Sequence, residues 1–164
     1  GLEVFMVDPL IRSPNGIAIS PDNSLLYVES HHNGILVIDV QHKAARRIRN
    51  PMSLDSGGID GLVYHEGSLW GVVNAQHEEF EYIVRYRLAD NGREIIAASI
   101  IDRANPAFIT PTTCVMVDDC LFVLAATCLM VFNDGEMDRP ELLHPPTVLK
   151  YCIDGPPPRN LTEQ

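Results

Sequence analysis

Pro14-Asn15-Gly16-Ile17-Ala18-Ile19-Ser20-Pro21-Asp22-Asn23-Ser24-Leu25-Leu26-Tyr27-Val28 is the stretch on which the reading of the whole chain turns. Ile17 and Ile19 alternate with small residues, Pro21-Asp22-Asn23-Ser24 is a dense turn signal, and a second apolar run follows at 25–28. The stretch therefore reads strand, turn, strand. The same order returns at Ile59-Asp60-Gly61-Leu62-Val63-Tyr64-His65, Glu66-Gly67 and Ser68-Leu69-Trp70-Gly71-Val72-Val73. It returns once more at 111–117, Asp118-Asp119 and 120–124. Aligning Asn15, Asp60 and Thr113 gives steps of 45 residues (15 to 60) and 53 residues (60 to 113). Four-strand units recurring near this period point to β-propeller blades, which run roughly 40–45 residues.

Working outward, the first unit has predicted strands at 16–20, 25–30, 35–40 and 44–49, with His31-His32-Asn33-Gly34 as a turn suited to positive φ. The second has strands at 59–65, 68–74, 81–88 and 94–101, and Gly57-Gly58 frees the chain to deliver the first of them inward. The third has strands at 112–117, 120–126 and 147–153, interrupted by an insertion at 133–146 that begins with a short strand near 129–132. Residues 2–7 read as an outer strand left from a preceding blade, and Gly155-Pro156-Pro157-Pro158 ends regular structure. No helix pattern with caps occurs. The expected class is all-β: one partial propeller over 1–164, with four-stranded antiparallel blades at about 15–49, 59–101 and 111–154 and a tail at 155–164. A closed ring needs about four blades or more. Three are expected to be half of a six-bladed ring, completed by a second copy under two-fold symmetry or by an N-terminal half outside this sequence.

The chain has 164 residues, 46% of them hydrophobic, and a net charge of −10. That is enough apolar content for a packed core. The acidic balance excludes nucleic acid and anionic membrane surfaces as partners and fits a protein that handles small molecules or cations. No apolar run approaches the roughly 18–20 residues of a membrane span, and no signal-peptide pattern stands at the start. A cytoplasmic location is favoured, with a periplasmic one open if a leader was removed. Cys114, Cys120, Cys128 and Cys152 lack metal-site or redox spacing. Buried free thiols in a reducing compartment are the favoured reading, and one disulfide in an exported protein is the other. Asn160-Leu161-Thr162 matches the glycosylation pattern in a polar tail.

Asn15 and Asp60 open the first strands of adjacent units, so both are expected at the mouth of a central channel. An amide oxygen and a carboxylate suit a hard cation: Ca²⁺ first, with Zn²⁺ or Mn²⁺ as alternatives. Thr113, aligned with them, is expected to line the channel. His31 and His32 are expected on a solvated loop, since consecutive turn residues diverge. His65, His77 and His144 stand near loops, where a histidine can carry protons. Glu78-Glu79-Phe80-Glu81 reads as a solvated rim. Tyr27 and Trp70 read as core between blades.

At these residues the chain resembles the gluconolactonase / senescence-marker-protein (regucalcin) family of six-bladed propellers. The carrying motifs are Pro14-Asn15-Gly16-Ile17-Ala18 with Ser20-Pro21-Asp22, then Asp60-Gly61-Leu62 with Ser68-Leu69-Trp70, then Asn105-Pro106-Ala107-Phe108 with Pro111-Thr112-Thr113. The resemblance covers roughly 3–154 and matches only the C-terminal half of such a protein; paraoxonase-like propellers are the nearest alternative. It implies that Asn15 and Asp60 are ligands of a divalent cation, and that Asp60 serves as general base or holds the attacking water in lactone hydrolysis. The family's other ligands, a Glu and a second Asn, belong to the N-terminal half. Cys114 replaces a small residue, and Leu124-Ala125-Ala126-Thr127 lacks the polar pair often seen there.

Two functions follow from this reading. One is a metal-dependent hydrolase of lactones or related esters acting on a small-molecule substrate. The other is a non-catalytic propeller half that binds a ligand or a protein partner. A fold alone does not choose between them.

Overall fold

The computed structural model describes residues 1–51, 56–74, 81–133, 136–137, 140 and 143–153. Three antiparallel sheets follow one another along the chain. The first is β1 (Pro14–Ile19), β2 (Leu25–Ser30), β3 (Gly34–Asp39) and β4 (Ala44–Arg47), paired in chain order. The second is β5 (Ile59–His65), β6 (Ser68–Val73), β7 (Tyr82–Leu88) and β8 (Ile95–Arg103), again in order. The third holds β9 (Cys114–Val117), β10 (Cys120–Ala126) and β13 (Thr147–Cys152). A 3₁₀ turn at Leu129–Val131 and the two-residue strands β11 (Phe132–Asn133) and β12 (Glu136–Met137) lie between β10 and β13. The chain is all-β and has the architecture of a partial propeller.

Most strands fall where the alternation places them. The third sheet has three strands among the described residues rather than four. The predicted strand near 129–132 begins as the 3₁₀ turn. Residues 2–7 form no strand, because they pair with no sheet; Leu2, Val4 and Val7 are exposed instead. The chain just after them is pinned at Leu10, whose carbonyl accepts from Ser30 Oγ (3.0 Å) and Asn33 Nδ2 (2.8 Å). The predicted tail at 155–164 lies outside the described residues.

Two cores hold the sheets face to face. Tyr27, Ile35 and Val37 of the first sheet pack with Ile59, Leu62, Leu69 and Tyr86 of the second. Trp70, Val72 and Ile83 on the opposite face of the second sheet pack with Leu121 and Val123 of the third. Each fully buried aliphatic contributes about 1.5–3 kcal/mol, so these two interfaces are what stack the sheets. Polar groups fix their orientation. Tyr27 donates its hydroxyl to Gly92 O at 3.0 Å, and burial pushes that hydroxyl's pKa up to about 12. Arg93 Nη2 donates to Asp39 Oδ2 at 2.9 Å.

The outer faces of the first and third sheets are not covered in the same way. On β1, Gly16 and Ala18 face the second sheet, while Ile17 and Ile19 are exposed. On the third sheet, Cys114, Met116, Leu149 and Tyr151 pack inward, while Val115, Val117, Leu124 and Val148 are exposed.

The cysteines correct the favoured expectation. Cys120 and Cys152 are direct partners in the β10–β13 register, with Cα atoms 4.0 Å apart, and form a disulfide. Their 32-residue separation hid the pairing, because the insertion between them brings the two strands back edge to edge. Cys114 and Cys128 are free thiols. Burial pushes the Cys114 thiol up to about 12, so it stays protonated.

Candidate functional site

The strand registers line up the three sheets residue by residue. Ile17 pairs Val28, Leu62 pairs Gly71 and Cys114 pairs Val123 at the corresponding place in each first hairpin. Two residues before these, Asn15 and Asp60 stand at the register irregularities that open β1 and β5, and Thr112 stands just before β9, so the three take corresponding places in one row. Thr113 therefore sits one place on, beside Gly16 and Gly61, and is exposed. The sequence alignment slipped by one residue in the third unit because no glycine anchors it there.

Those glycines are required by crowding. A Cβ on Gly16 would lie 2.8 Å from Leu62 Cβ and 3.2 Å from Asp60 O. A Cβ on Gly61 would lie 2.7 Å from Thr112 O and 2.9 Å from Cys114 N. Contacts this short are not tolerated, so Asn-Gly and Asp-Gly let neighbouring inner strands approach backbone to backbone. That approach carries Asn15, Asp60 and Thr112 to the same end of the stack.

A cavity of about 260 Å³ opens at this end, lined by Asn15, Glu29, His31, Gly58 and Asn74 among others. Asp60 is not part of its lining but is tied to it: Asn74 Nδ2 donates to Asp60 Oδ2 at 2.7 Å and to Pro111 O at 3.1 Å. One amide thus fixes the Asp60 carboxylate and the segment leading to Thr112. Glu29 is 1% exposed and accepts from Gly58 N at 2.9 Å. Burial raises its pKa, amide hydrogen bonds from Gly58 and Ile59 oppose the rise, and the Asp60 charge adds to it. It holds the backbone immediately before Asp60.

Glu29 and Asn74 were not singled out from sequence. Each left a signal: Glu29 is a lone acid ending the apolar run Leu25-Leu26-Tyr27-Val28, and Asn74 is the first polar residue after the apolar run 69–73. His31 is exposed, as expected of a loop residue, yet also lines the cavity. Glu81 overturns its reading as part of a solvated rim: it is buried, and its Oε1 accepts from Thr110 N at 3.2 Å across to the third sheet. His65 lies at the far end of β5 against Asp119, and His144 donates its backbone N–H to Cys128 Sγ. His77 and residues 78–80 lie outside the described residues. Tyr27 and Trp70 lie in the two inter-sheet cores.

With sheets stacked face to face and their first strands converging on one end, the chain is part of a β-propeller. No family model and no curated protein matches it. Its structural likeness is to a gluconolactonase from Xanthomonas campestris, at 20% identity over 74% of this chain and 37% of that one, with a TM-score of 0.51. A luciferin-regenerating enzyme is similar at 19% identity over 77% of this chain and 41% of that one, with a TM-score of 0.50. The chain thus shares the propeller fold of gluconolactonase-like proteins and spans well under half the length of either.

Proposed function

We propose that the row Asn15–Asp60 is one side of a channel site for metal-dependent hydrolysis of lactones or related esters. The observation that supports it is the fixed Asp60 carboxylate, held by Asn74 at 2.7 Å beside the cavity at the inner-strand ends. Asp60 has the place and chemistry of a general base: a carboxylate positioned to take a proton from an attacking water. Asn74 keeps that carboxylate from rotating away. Asn15 and Asp60 offer the donor types a hard cation takes, so they are the residues that would hold Ca²⁺. Such a cation, when bound, polarises the lactone carbonyl and lowers the pKa of water.

The donor set fits in kind and is incomplete in number, since Ca²⁺ takes about six to eight oxygens. A second copy, docked so that the exposed face of β1 meets the exposed face of the third sheet, would supply Asn15 and Asp60 twice and close a six-bladed ring. The test is hydrolysis of a small aldonolactone, followed by proton release with Ca²⁺ added, together with solution mass by light scattering. The reading predicts a particle of twice 18.2 kDa and activity that Asp60→Ala abolishes. Activity that survives Asp60→Ala overturns the site. The uncovered apolar faces equally favour the second reading, a non-catalytic half that binds a partner; a stable dimer with no hydrolysis of any lactone or ester would select it.

A further inference from the structure

A second cluster of ligating atoms lies at the opposite end of the sheets. His65 ends β5, Glu66 stands in the β5–β6 turn, and Asp119 stands in the β9–β10 turn. One ligand atom from each lies within 4.8 Å of the others, and among the described residues this is the one group of three His, Cys, Asp or Glu that meets so closely. None of Asn15, Glu29, His31 or Asp60 belongs to it. Five strand steps of about 3.3 Å separate Asp60 from His65, which places the cluster roughly 16 Å along β5 from the Asn15–Asp60 row.

One pair within the cluster has the spacing of neighbouring ligands in a coordination shell, which is also that of a hydrogen bond. His65 Nε2 and Asp119 Oδ1 are 3.2 Å apart. Zinc–ligand bonds of about 2.0–2.2 Å meeting near tetrahedral angles set neighbouring donors roughly 3.3–3.5 Å apart. The two atoms are thus close to adjacent corners of such a shell before any ion is considered. His65 is only 19% exposed at its side chain while Asp119 is 60% exposed, so the imidazole is held in place and the carboxylate side is open to solvent.

We propose that His65, Glu66 and Asp119 form a site for a borderline divalent cation, Zn²⁺ in particular, which ties the second sheet to the third. One imidazole nitrogen and two carboxylates match Zn²⁺ better than Ca²⁺ or Mg²⁺, which favour all-oxygen sets. Three protein donors leave one position for water. The neighbouring Asp118 carboxylate and the overall charge of −10 draw a cation towards this end. Because His65 and Glu66 come from the end of β5 and the turn after it, and Asp119 from the β9–β10 turn, a bound ion bridges two sheets and binds the folded chain in preference to the unfolded one. It therefore raises thermal stability.

The experiment is calorimetric titration of tag-free, chelator-stripped protein with zinc chloride, paired with thermal unfolding at matched zinc concentrations. Wild type is expected to take up Zn²⁺ saturably and to unfold at a higher temperature with it. Glu66→Gln, which leaves the His65–Asp119 contact intact, is expected to keep the metal-free unfolding temperature and to bind at least tenfold more weakly. His65→Ala is expected to lose the response, and if that variant fails to fold, Asp119→Asn takes its place. Asp60→Ala is expected to bind as wild type does. The proposal is overturned if wild type shows no saturable uptake, if Glu66→Gln and His65→Ala bind unchanged, or if Asp60→Ala alone removes the binding. None of these readouts depends on hydrolytic activity, so failure here and failure of the channel site are separate results.

Discussion

Asn74 and Asp60 are joined by a 2.7 Å hydrogen bond in which the amide Nδ2 donates to carboxylate Oδ2, and the same amide also donates to Pro111 O. Asn74 directly follows the second strand of the middle sheet and Asp60 stands near the start of its first, so the amide closes the end of one hairpin and reaches the segment that leads into the next sheet.

Asn74→Leu should therefore lower stability, by removing both bonds, as well as the chemistry of Asp60. Outer residues that orient a functional carboxylate are worth about 10–100-fold when removed. On the proposed hydrolytic reading, the expected result is a loss of that size in kcat. Asp60→Ala, which removes the proposed base and a proposed metal donor together, should leave no hydrolysis above background. Equal kcat for Asn74→Leu and wild type would show that Asp60 needs no such support.

Gly61→Ala tests the close approach of the inner strands. The added methyl would meet Thr112 O at 2.7 Å. Overpacking of this kind costs about 1–3 kcal/mol. Gly67→Ala provides the contrast, since nothing lies within 4 Å of its Cβ and only its positive φ of 67° resists the change. Chemical denaturation should rank Gly61→Ala as the more damaging; the reverse order would mean that the strands have room to part.

Reduction of Cys120–Cys152 should loosen β13 from β10. A cross-link over a 32-residue separation stabilises by about 3–4 kcal/mol in the chain-entropy account. Thermal unfolding with and without a phosphine reductant measures it. Hydrogen exchange should rise first at 147–152, and unchanged exchange there would contradict the assignment.

Asp39 gives a pH dependence with a definite sign. Its pKa lies well below the usual carboxylate range, chiefly through the His42 backbone N–H, then through Arg93 and the His42 side chain. A depressed folded-state pKa adds stability above the unfolded value of about 3.9, and that stability is lost as pH falls below it. Asp39→Asn should be less stable than wild type at pH 7, and the difference should close on acidification below about pH 4. A gap that widens in acid would contradict the Asp39–Arg93 link.

The strand pattern was open to reading because alternation and turn chemistry are local. Pro-Asp-Asn-Ser and Asp-Asn-Gly declare turns wherever they stand, and Tyr82–Leu88 shows its two faces in its own spelling. Glu29, Glu81 and Asn74 were harder, because their partners lie 14 to 37 residues away along the chain. The Thr113 misalignment has the same origin. A row across three sheets is defined by pairing register, and only where glycine recurs does the sequence carry that register on its face.

The two glycines and the threonine that takes their place also set the pitch of the stack. At Gly16 and Gly61 each inner strand lies against the backbone of the next. Thr113 stands in the corresponding place of the third sheet, against Gly61 on one side and exposed on the other. The close, glycine-mediated approach thus joins the first sheet to the second and the second to the third, and the third sheet carries no glycine with which to repeat it.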